Sequence, residues 1–540
     1  MLTWVGRAGY RGAVTNDERA QLSPSASSES KSTDTKDVER TAGRGGLAVA
    51  FAKVYFILQG LVQQIALPRV LGLDGYGAWS TVNSIASVTY NPVVSMSIQG
   101  VSRAVAEAQP QDQAAALRRT MGIHAGLAVL LGAGFYFASP FITGGAGAPH
   151  LTLALQILSG AMLLYSVYAP LIGALNGQKR FLHQAGFDIL AATLRTTGLV
   201  TGAWLFVKNG HGGVEGAASG FVIGLSLLTL LAFAVVGIGR RGPGGLSVAE
   251  HIGFLVPVLT GQVLLNLLLQ ADSILLRRFA ADAAVERGLS LTAADPLVGA
   301  YRATQLFSFL PYQLLISVNF ILFPMLATAV RDADRVAIAR YVATGVRVAL
   351  VIAGLMVSVT AGLSNQLLKL VFGEQAAILG GRSLELLALG FGAFAIFGVL
   401  TTVLNSLQHE RQSAAVTAVA AACVAALCFL RVRGSEFGEG LLFRTASATS
   451  VGLLIATGGA AVLVYRAAGA VVAPLSVVRV VLSVAVTVAV GRWLPEHGKV
   501  FTVLCAGALA LLYSALLLAT RELGRKDLAM VVRVLARRKR

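Results

Sequence analysis

Long apolar stretches of about 20 residues follow one another along the chain, from Gly46 almost to the C terminus. About 20 consecutive apolar residues make a helix long enough to cross a bilayer, and polar residues separate these stretches. The pattern therefore predicts about fourteen transmembrane helices. Their predicted spans are residues 47–67, 77–101, 119–141, 150–173, 181–207, 213–239, 251–276, 297–325, 338–363, 379–404, 412–431, 441–465, 473–490 and 499–520.

Composition supports this interpretation. Hydrophobic residues make up 55% of the 540 residues and charged residues only 13%, with a mean hydropathy of +0.71. Soluble domains carry roughly 25% charged residues, so a chain this apolar belongs among integral membrane proteins. The loops between predicted helices are too short to hold a soluble domain. We predict an all-α polytopic membrane protein whose helices carry its function.

The two ends of the chain differ from this apolar region. Residues 1–45 are Ser-rich and charged, which predicts a disordered tail. Residues 521–540 are basic, as expected of a segment that lies on anionic lipid headgroups. An even helix count and two basic ends predict that both termini are cytoplasmic. The net charge of +18 is explained by topology, and no motif indicates nucleic acid as a partner.

Two segments 222 residues apart resemble each other. The stretch "GAWSTVNSIASVTY" begins at Gly77 and "GAYRATQLFSFLPY" begins at Gly299, so that Tyr90 matches Tyr312. Six predicted helices separate the two copies, which predicts a parallel repeat about an axis along the membrane normal. Two bundles facing each other would enclose a cleft and transport by rocking. The predicted units are bundles over 46–245 and 246–466, followed by two extra helices over 467–520.

Several short motifs carry a resemblance to a known family. "ALPRVLGLDGYGAWS", "GVSRAVAEA", "LNGQKRF", "DSILLRRF" and "FPMLATAV" resemble segments of the Wzx-type polysaccharide flippases. These belong to the multidrug/oligosaccharidyl-lipid/polysaccharide (MOP) exporter superfamily, and the likeness covers about residues 46–466. It implies alternating access that flips undecaprenyl-diphosphate-linked oligosaccharide units across the bacterial inner membrane. It also implies a monomeric transport unit that works beside a polysaccharide polymerase and chain-length proteins.

Charged residues within the helices are candidates for the cargo site, since a charge at the bilayer centre costs about 2.5–3.5 kcal/mol or more. Arg195 lies nearest the middle of its predicted helix, and Asp188 lies seven residues earlier on nearly the same face. We expect both to face a water-filled space or partners on other helices, with Asp188 orienting the guanidinium of Arg195. Asp272 is expected near the outer surface. The predicted cargo-binding residues are Lys53, Gln63, Asp188, Arg195, Gln270, Arg302 and Arg347.

A net positive cleft suits a diphosphate, because arginine presents a planar fork of donors to phosphate oxygens. Three alternatives stay open: a lipid II flippase, a cation-coupled multidrug exporter of the same superfamily, and a membrane glycosyltransferase, polymerase or ligase. Lys53 on the first helix disfavours an exporter of cations. The short outer loops and the absence of a nucleophile or nucleotide motif disfavour an enzyme. The three cysteines lie in apolar runs, and no cofactor or metal is predicted.

Overall fold

The structure is a computed structural model that describes residues 28–240, 242, 247–496 and 498–524. The described residues form α-helices, two short 3₁₀-helices at Pro149–Leu151 and Leu291–Ala294, and no strand. The all-α polytopic fold predicted from the apolar pattern is confirmed. The helices are α1 Ser28–Glu107, α2 Gln113–Gly145, α3 Thr152–Gly177, α4 Phe181–Lys208, α5 Gly213–Val236, α6 Val248–Glu286, α7 Asp295–Ser308, α8 Leu310–Arg331, α9 Arg335–Gly362, α10 Ser364–Phe372, α11 Glu374–Ser406, α12 Glu410–Val432, α13 Glu439–Ala468, α14 Pro474–Arg492 and α15 Gly498–Ala519.

Helix α1 contains two predicted spans that turn back on each other at Gly72. Gly72 has φ 72° and ψ 177°, a conformation that only glycine adopts without strain. The Tyr76 hydroxyl donates a hydrogen bond to the side chain of Gln64. Twelve residues of straight helix would separate these two positions by about 18 Å. The contact therefore requires a sharp reversal between them.

The count of spans depends on how α1 and one bent pair are treated. The described residues contain 12 helices long and apolar enough to cross a membrane, with the 57-residue stretch from Phe51 to Glu107 counted once. A further pair, Leu291–Asn319 and Leu322–Arg331, is bent by 41°. Counting α1 as two spans and the bent pair as one further span gives 14 spans, the predicted number.

The helical part of α1 begins earlier than the sequence pattern indicates. It starts at Ser28, so residues 28–45 are helical where disorder was predicted. Helix nucleation is the unfavourable step and propagation adds one hydrogen bond per residue, so a membrane-anchored helix extends readily into an adjoining polar segment. The rest of the predicted N-terminal tail and most of the basic C-terminal tail lie outside the described residues.

Two separate hydrophobic cores divide the helices. The first, which we call the N-core, runs from Leu67 to Ala232 and draws on α1 to α5. The second, the C-core, runs from Leu268 to Val464 and draws on α6 to α9 and α11 to α13. Helices α14 and α15 form a smaller core against α9 that includes Val357 and Tyr513. The exact unit boundaries stay predictions.

The two halves meet in two places. We call the end of the bundle with the α2–α3 and α6–α7 connections the His150 end, and the opposite end, with the α5–α6 connection, the linker end. At the His150 end, a Cβ atom built on Gly77 would lie 2.6 Å from the backbone nitrogen of Gly299. Toward the linker end, the second part of α1 packs along α6, where the Asn91 amide donates to Asn266 over 3.0 Å.

Contact between Gly77 and Gly299 joins the two residues that the repeat offset matches. A Cβ on Gly299 would in turn lie 3.2 Å from the Gly77 nitrogen. Small residues permit this close approach of helix backbones in membranes. Reciprocal contact between equivalent positions is expected at a two-fold axis, and it supports the predicted parallel repeat.

Candidate functional site

The position of Arg195 on α4 follows from the close contact between α4 and α5. A Cβ on Gly198 would lie 3.1 Å from the Gly220 carbonyl carbon, and one on Gly220 would lie 3.2 Å from the Gly202 Cα. These glycines let the two helix backbones touch. Because Gly198 is three residues beyond Arg195 and Gly220 directly precedes Phe221, the same contact brings the guanidinium of Arg195 to the Phe221 ring.

Arg195 lies in the N-core among aromatic side chains. Its guanidinium carbon is 5.9 Å from the centre of the Phe221 ring, at the distance of a cation–π contact. Its Nε is buried and has no hydrogen-bond partner in the described part of the chain. Tyr165 stacks on Tyr90 with ring centres 5.3 Å apart, and both tyrosines lie within electrostatic range of Arg195. Arg195 thus keeps unused donor capacity inside an apolar bundle.

Arg302 approaches the same tyrosine from the other half of the protein. It lies on α7, and its Nη1 donates to the Gln305 side-chain oxygen over 2.8 Å. Tyr90 is within electrostatic range of Arg302 as well as of Arg195. Tyr90 itself donates a hydrogen bond to Asn83 over 3.0 Å. One arginine from each half therefore lies within electrostatic range of Tyr90, and we call Arg195, Tyr90 and Arg302 the arginine site.

Asp188 pairs with Lys53 rather than with Arg195. The Lys53 Nζ lies 2.8 Å from a carboxylate oxygen of Asp188, which joins the first part of α1 to α4. Tyr55 and Thr193 share a 2.9 Å hydrogen bond along the same contact. The Lys53 side chain remains 50% exposed, so half of this cation still faces its surroundings. The structure thus shows that Asp188 has a partner on another helix. The expected orienting effect of Asp188 on Arg195 is not supported by a direct contact between the two side chains.

The two predicted glutamines are both buried, and each lies in a different half. Gln63 is on the first part of α1 and Gln270 is on α6. The Gln270 side-chain oxygen has no hydrogen-bond partner among the described residues. Among the described residues, neither glutamine forms a hydrogen bond with a residue of the arginine site. Their assignment to cargo sugars stays a prediction.

The expected position of Asp272 near the outer surface is wrong. The residue is 1% exposed and accepts hydrogen bonds from Tyr301 over 2.7 Å and Gln305 over 3.0 Å. Thr449 adds a third, longer contact of 3.3 Å. The sequence places Asp272 near a helix end, but α6 extends to Glu286, which buries this position between α7 and α13. Gln305 also accepts from Arg302, so it links the buried carboxylate to the arginine site.

Arg347 lies away from the other predicted site residues. On α9 near the linker end, its Nε is 2.7 Å from a carboxylate oxygen of Glu522, and Arg479 on α14 approaches the same carboxylate at 3.5 Å. Burial raises the pKa of Glu522, but hydrogen bonds from Arg347, Ser476 and Arg479 together bring it below its usual value. Arg347 therefore ties the chain after α15 to α9 and α14.

Helices α4 and α7 and the second part of α1 together present cations, aromatic rings and amides. Among the described residues, no group of three His, Cys, Asp or Glu side chains converges as a metal site would require. Guanidinium groups can donate to an anion and aromatic rings can stack on a ring-shaped group, so the chemistry of these side chains suits a ligand that has both.

Comparison with solved structures identifies the fold. A lipid II flippase, MurJ, in an inward closed conformation superimposes with a TM-score of 0.70 and 14% identity, covering 88% of this chain and 99% of that chain. An inward-facing multidrug resistance MATE family transporter gives 0.58 and 13%, covering 75% and 98%. A Pyrococcus furiosus transporter with a binding pocket described as having reverse polarity gives 0.56 and 13%, covering 79% and 96%.

The chain has the fold of the MOP superfamily transporters. Two of these three neighbours are named as MOP superfamily members, and all three are covered almost completely, so the shared fold includes both halves. The TM-scores of 0.56–0.70 establish the fold, and at identities of 13–14% the substrate stays open. No protein-family model matches the sequence, and no curated protein matches it either.

Proposed function

We propose that the protein is a flippase that moves prenyl-diphosphate-linked oligosaccharide units across the inner membrane by alternating access, as the likeness to the Wzx-type flippases implies. The observation that carries the proposal is the arginine site. Arg195 has no carboxylate within 4.0 Å among the described residues and keeps a buried donor without a partner. An unneutralised cation inside a bilayer is unfavourable unless it binds an anion, and a diphosphate is such an anion.

A lipid II flippase is the second candidate, and the similarity to MurJ over 99% of that chain favours it. Lipid II has the same prenyl diphosphate, so the arginine site suits both cargoes equally. The buried Asp272 gives the cation-coupled exporter some support, but Lys53 and the two arginines make the helices around the arginine site cationic, which disfavours a cationic drug. The sugar identity therefore separates the two leading candidates.

The cellular setting is proposed along with the function. We place the protein in the inner membrane with both termini in the cytoplasm, as a monomeric transport unit. The basic C-terminal segment would bind anionic lipids, and a polymerase and chain-length proteins would receive the flipped units. We propose no enzymatic activity for the chain.

A reconstituted assay tests the proposal directly. Proteoliposomes containing a fluorescent prenyl-diphosphate disaccharide are treated with an impermeant quencher, which reports the fraction of label reaching the outer leaflet. We expect Arg195→Ala to abolish flipping and Arg195→Lys to retain part of it, because lysine keeps the charge without the fork. Lys208→Ala is the matched control, since Lys208 lies on the same helix and also stacks on an aromatic ring, Trp204, at 4.9 Å.

The outcome separates the candidates and can reject both. Flipping of the disaccharide with little flipping of a pentapeptide-bearing lipid II analogue supports the polysaccharide flippase, and the reverse result supports the lipid II flippase. Normal flipping by a well-folded Arg195→Ala protein would contradict the assignment of Arg195. No flipping of either lipid by the parent chain would contradict the proposed function.

A further inference from the structure

A cluster of charged residues at the His150 end joins the two halves of the protein. His150, on the 3₁₀-helix after α2, places its Nε2 2.9 Å from a carboxylate oxygen of Asp295 at the start of α7. Asp295 belongs to the second half and His150 to the first, so this contact crosses between them. It lies next to the Gly77–Gly299 contact, because a Cβ on Gly77 would also collide with the Asp295 carbonyl oxygen.

Asp295 is shared between two partners, and it is held by them unequally. Arg277 on α6 is completely buried, and its Nε lies 3.3 Å from the second carboxylate oxygen of Asp295. That oxygen and the Arg277 Nε are not aligned for a hydrogen bond, and Arg277 Nη1 also has no partner among the described residues. The Arg277 Nη2 donates to the Leu291 carbonyl oxygen over 3.0 Å. The strong hydrogen bond therefore goes to His150 and the weak pairing to Arg277.

Alternating access requires this end of the bundle to open, and the distribution of partners suits that step. When the first half moves away, His150 leaves with it, while Arg277 stays beside Asp295 in the second half. The buried carboxylate of Asp295 would then keep Arg277 as its counter-charge. A buried carboxylate left with no counter-charge would be strongly destabilising. Unused donors on Arg277 would be available to complete the pairing. The contact can break without leaving an uncompensated buried charge.

We propose that His150 and Asp295 form a gate latch that holds the His150 end closed and that tightens when His150 gains a proton. Histidine is the side chain whose charge ordinarily changes between about pH 5 and 8. A protonated imidazole beside a carboxylate makes a charge-assisted hydrogen bond, which is stronger than the neutral one. The proposal rests on the alternating access in the proposed function and not on the identity of the cargo.

The other charged groups near His150 do not reverse this effect. The charged side chains that the described contacts place around it are Asp295, Arg277, Arg278 and Asp282. Arg278 and Asp282 pair with each other at 3.0 Å within α6 and neutralise each other. Arg277 has only Asp295 as a carboxylate partner in the salt bridges of the described residues. The His150 side chain is 29% exposed.

Thiol labelling measures the opening of this end without any cargo. Thr81 is buried, lies one turn deeper than Gly77 on the same face of α1, and donates to the Gly77 carbonyl oxygen. A membrane-impermeant maleimide is applied to Thr81→Cys protein in whole cells and in inverted vesicles, with the Thr81 parent as background. Maleimide reacts with the thiolate, whose fraction falls as the pH falls, so each rate is divided by the rate of Asn209→Cys, an exposed position at the same end, at the same pH. We expect this relative labelling rate from the His150 side to fall up to about five-fold between pH 8 and pH 5.5, the range for a partly exposed ion pair.

Substitutions at His150 decide the matter. His150→Gln keeps a neutral donor, so its relative labelling rate should lose the pH dependence and remain near the high-pH value. His150→Ala should label faster at every pH. Asp282→Asn is the matched control, because it removes a nearby carboxylate that pairs only within α6, and it should behave as the parent does. A buried pair, His124 and His251, is present in all of these proteins and cannot account for a difference between them.

Two results would overturn the latch. One is an unchanged pH dependence in His150→Gln, and the other is a His150→Ala protein that labels no faster than the parent. Either result would leave the flipping assay unaffected, since labelling needs no cargo. A loss of flipping with an intact labelling profile would instead contradict the proposed function and not the latch.

Discussion

Replacing Gly77 by alanine should destabilise the closed state of the His150 end and leave that end mostly open. The added Cβ would lie 2.6 Å from the Gly299 nitrogen, and closer still to the Asp295 carbonyl oxygen. Ordinary Cβ contacts begin at 3.4 Å, so α1 and α7 must separate by at least about 0.8 Å, the difference between these distances. The obstructing atoms are backbone atoms, so neither can rotate away as a flexible side chain would.

The magnitude follows from the energy of overpacking. Forcing one extra carbon into a close contact typically costs about 1–3 kcal/mol. Here that energy is lost only when the end is closed, so the closed population should fall by roughly 5- to 150-fold. A flippase must pass through both states, so we expect Gly77→Ala to flip lipid slowly while remaining abundant in the membrane.

Thiol accessibility and flipping are measured together on the same variant. We expect Thr81→Cys to label faster in the Gly77→Ala background than in the parent at every pH, and flipping to be largely lost. Gly60→Ala is the control on the same helix, because a Cβ at Gly60 would meet nothing within 4 Å. A Gly77→Ala protein with parental labelling and flipping would refute the view that the repeat-related glycines close this end.

Three further predictions concern the polar residues of the helices. Single changes Lys53→Ala and Asp188→Asn should each lower thermal stability, and the double variant should lose less than their sum by at most about 1 kcal/mol, as a double-mutant cycle would measure. Asp272→Ala should lower the unfolding free energy by about 1–3 kcal/mol, because Tyr301 would lose its acceptor, whereas Asp272→Asn should be milder; denaturation in detergent measures both. Arg347→Ala should expose the chain after α15 to protease, because it removes the pairing with Glu522, and it should leave the labelling rate of Thr81→Cys unchanged.

Much of this fold was readable from the sequence, because the bilayer imposes its own rules. Backbone groups in lipid must be bonded internally, so each apolar stretch of 20 residues becomes a helix. Even the pair hidden within α1 was visible as two stretches, since Gly72 interrupts them. The repeat offset matched Gly77 with Gly299, and the structure places these two residues in contact. Local periodicity and length sufficed for these conclusions.

The partners of the buried charges came only from tertiary structure. A position along a helix gives depth and face, and on that basis Arg195 and Asp188 looked like one unit. Their actual neighbours depend on which helices pack beside α4: Lys53 arrives from α1, and Phe221 arrives from α5 through the glycine contact. Depth alone likewise misplaced Asp272, because the true length of α6 decides whether a helix end is exposed. Helix packing brings together residues more than 100 positions apart, and no local pattern records those encounters.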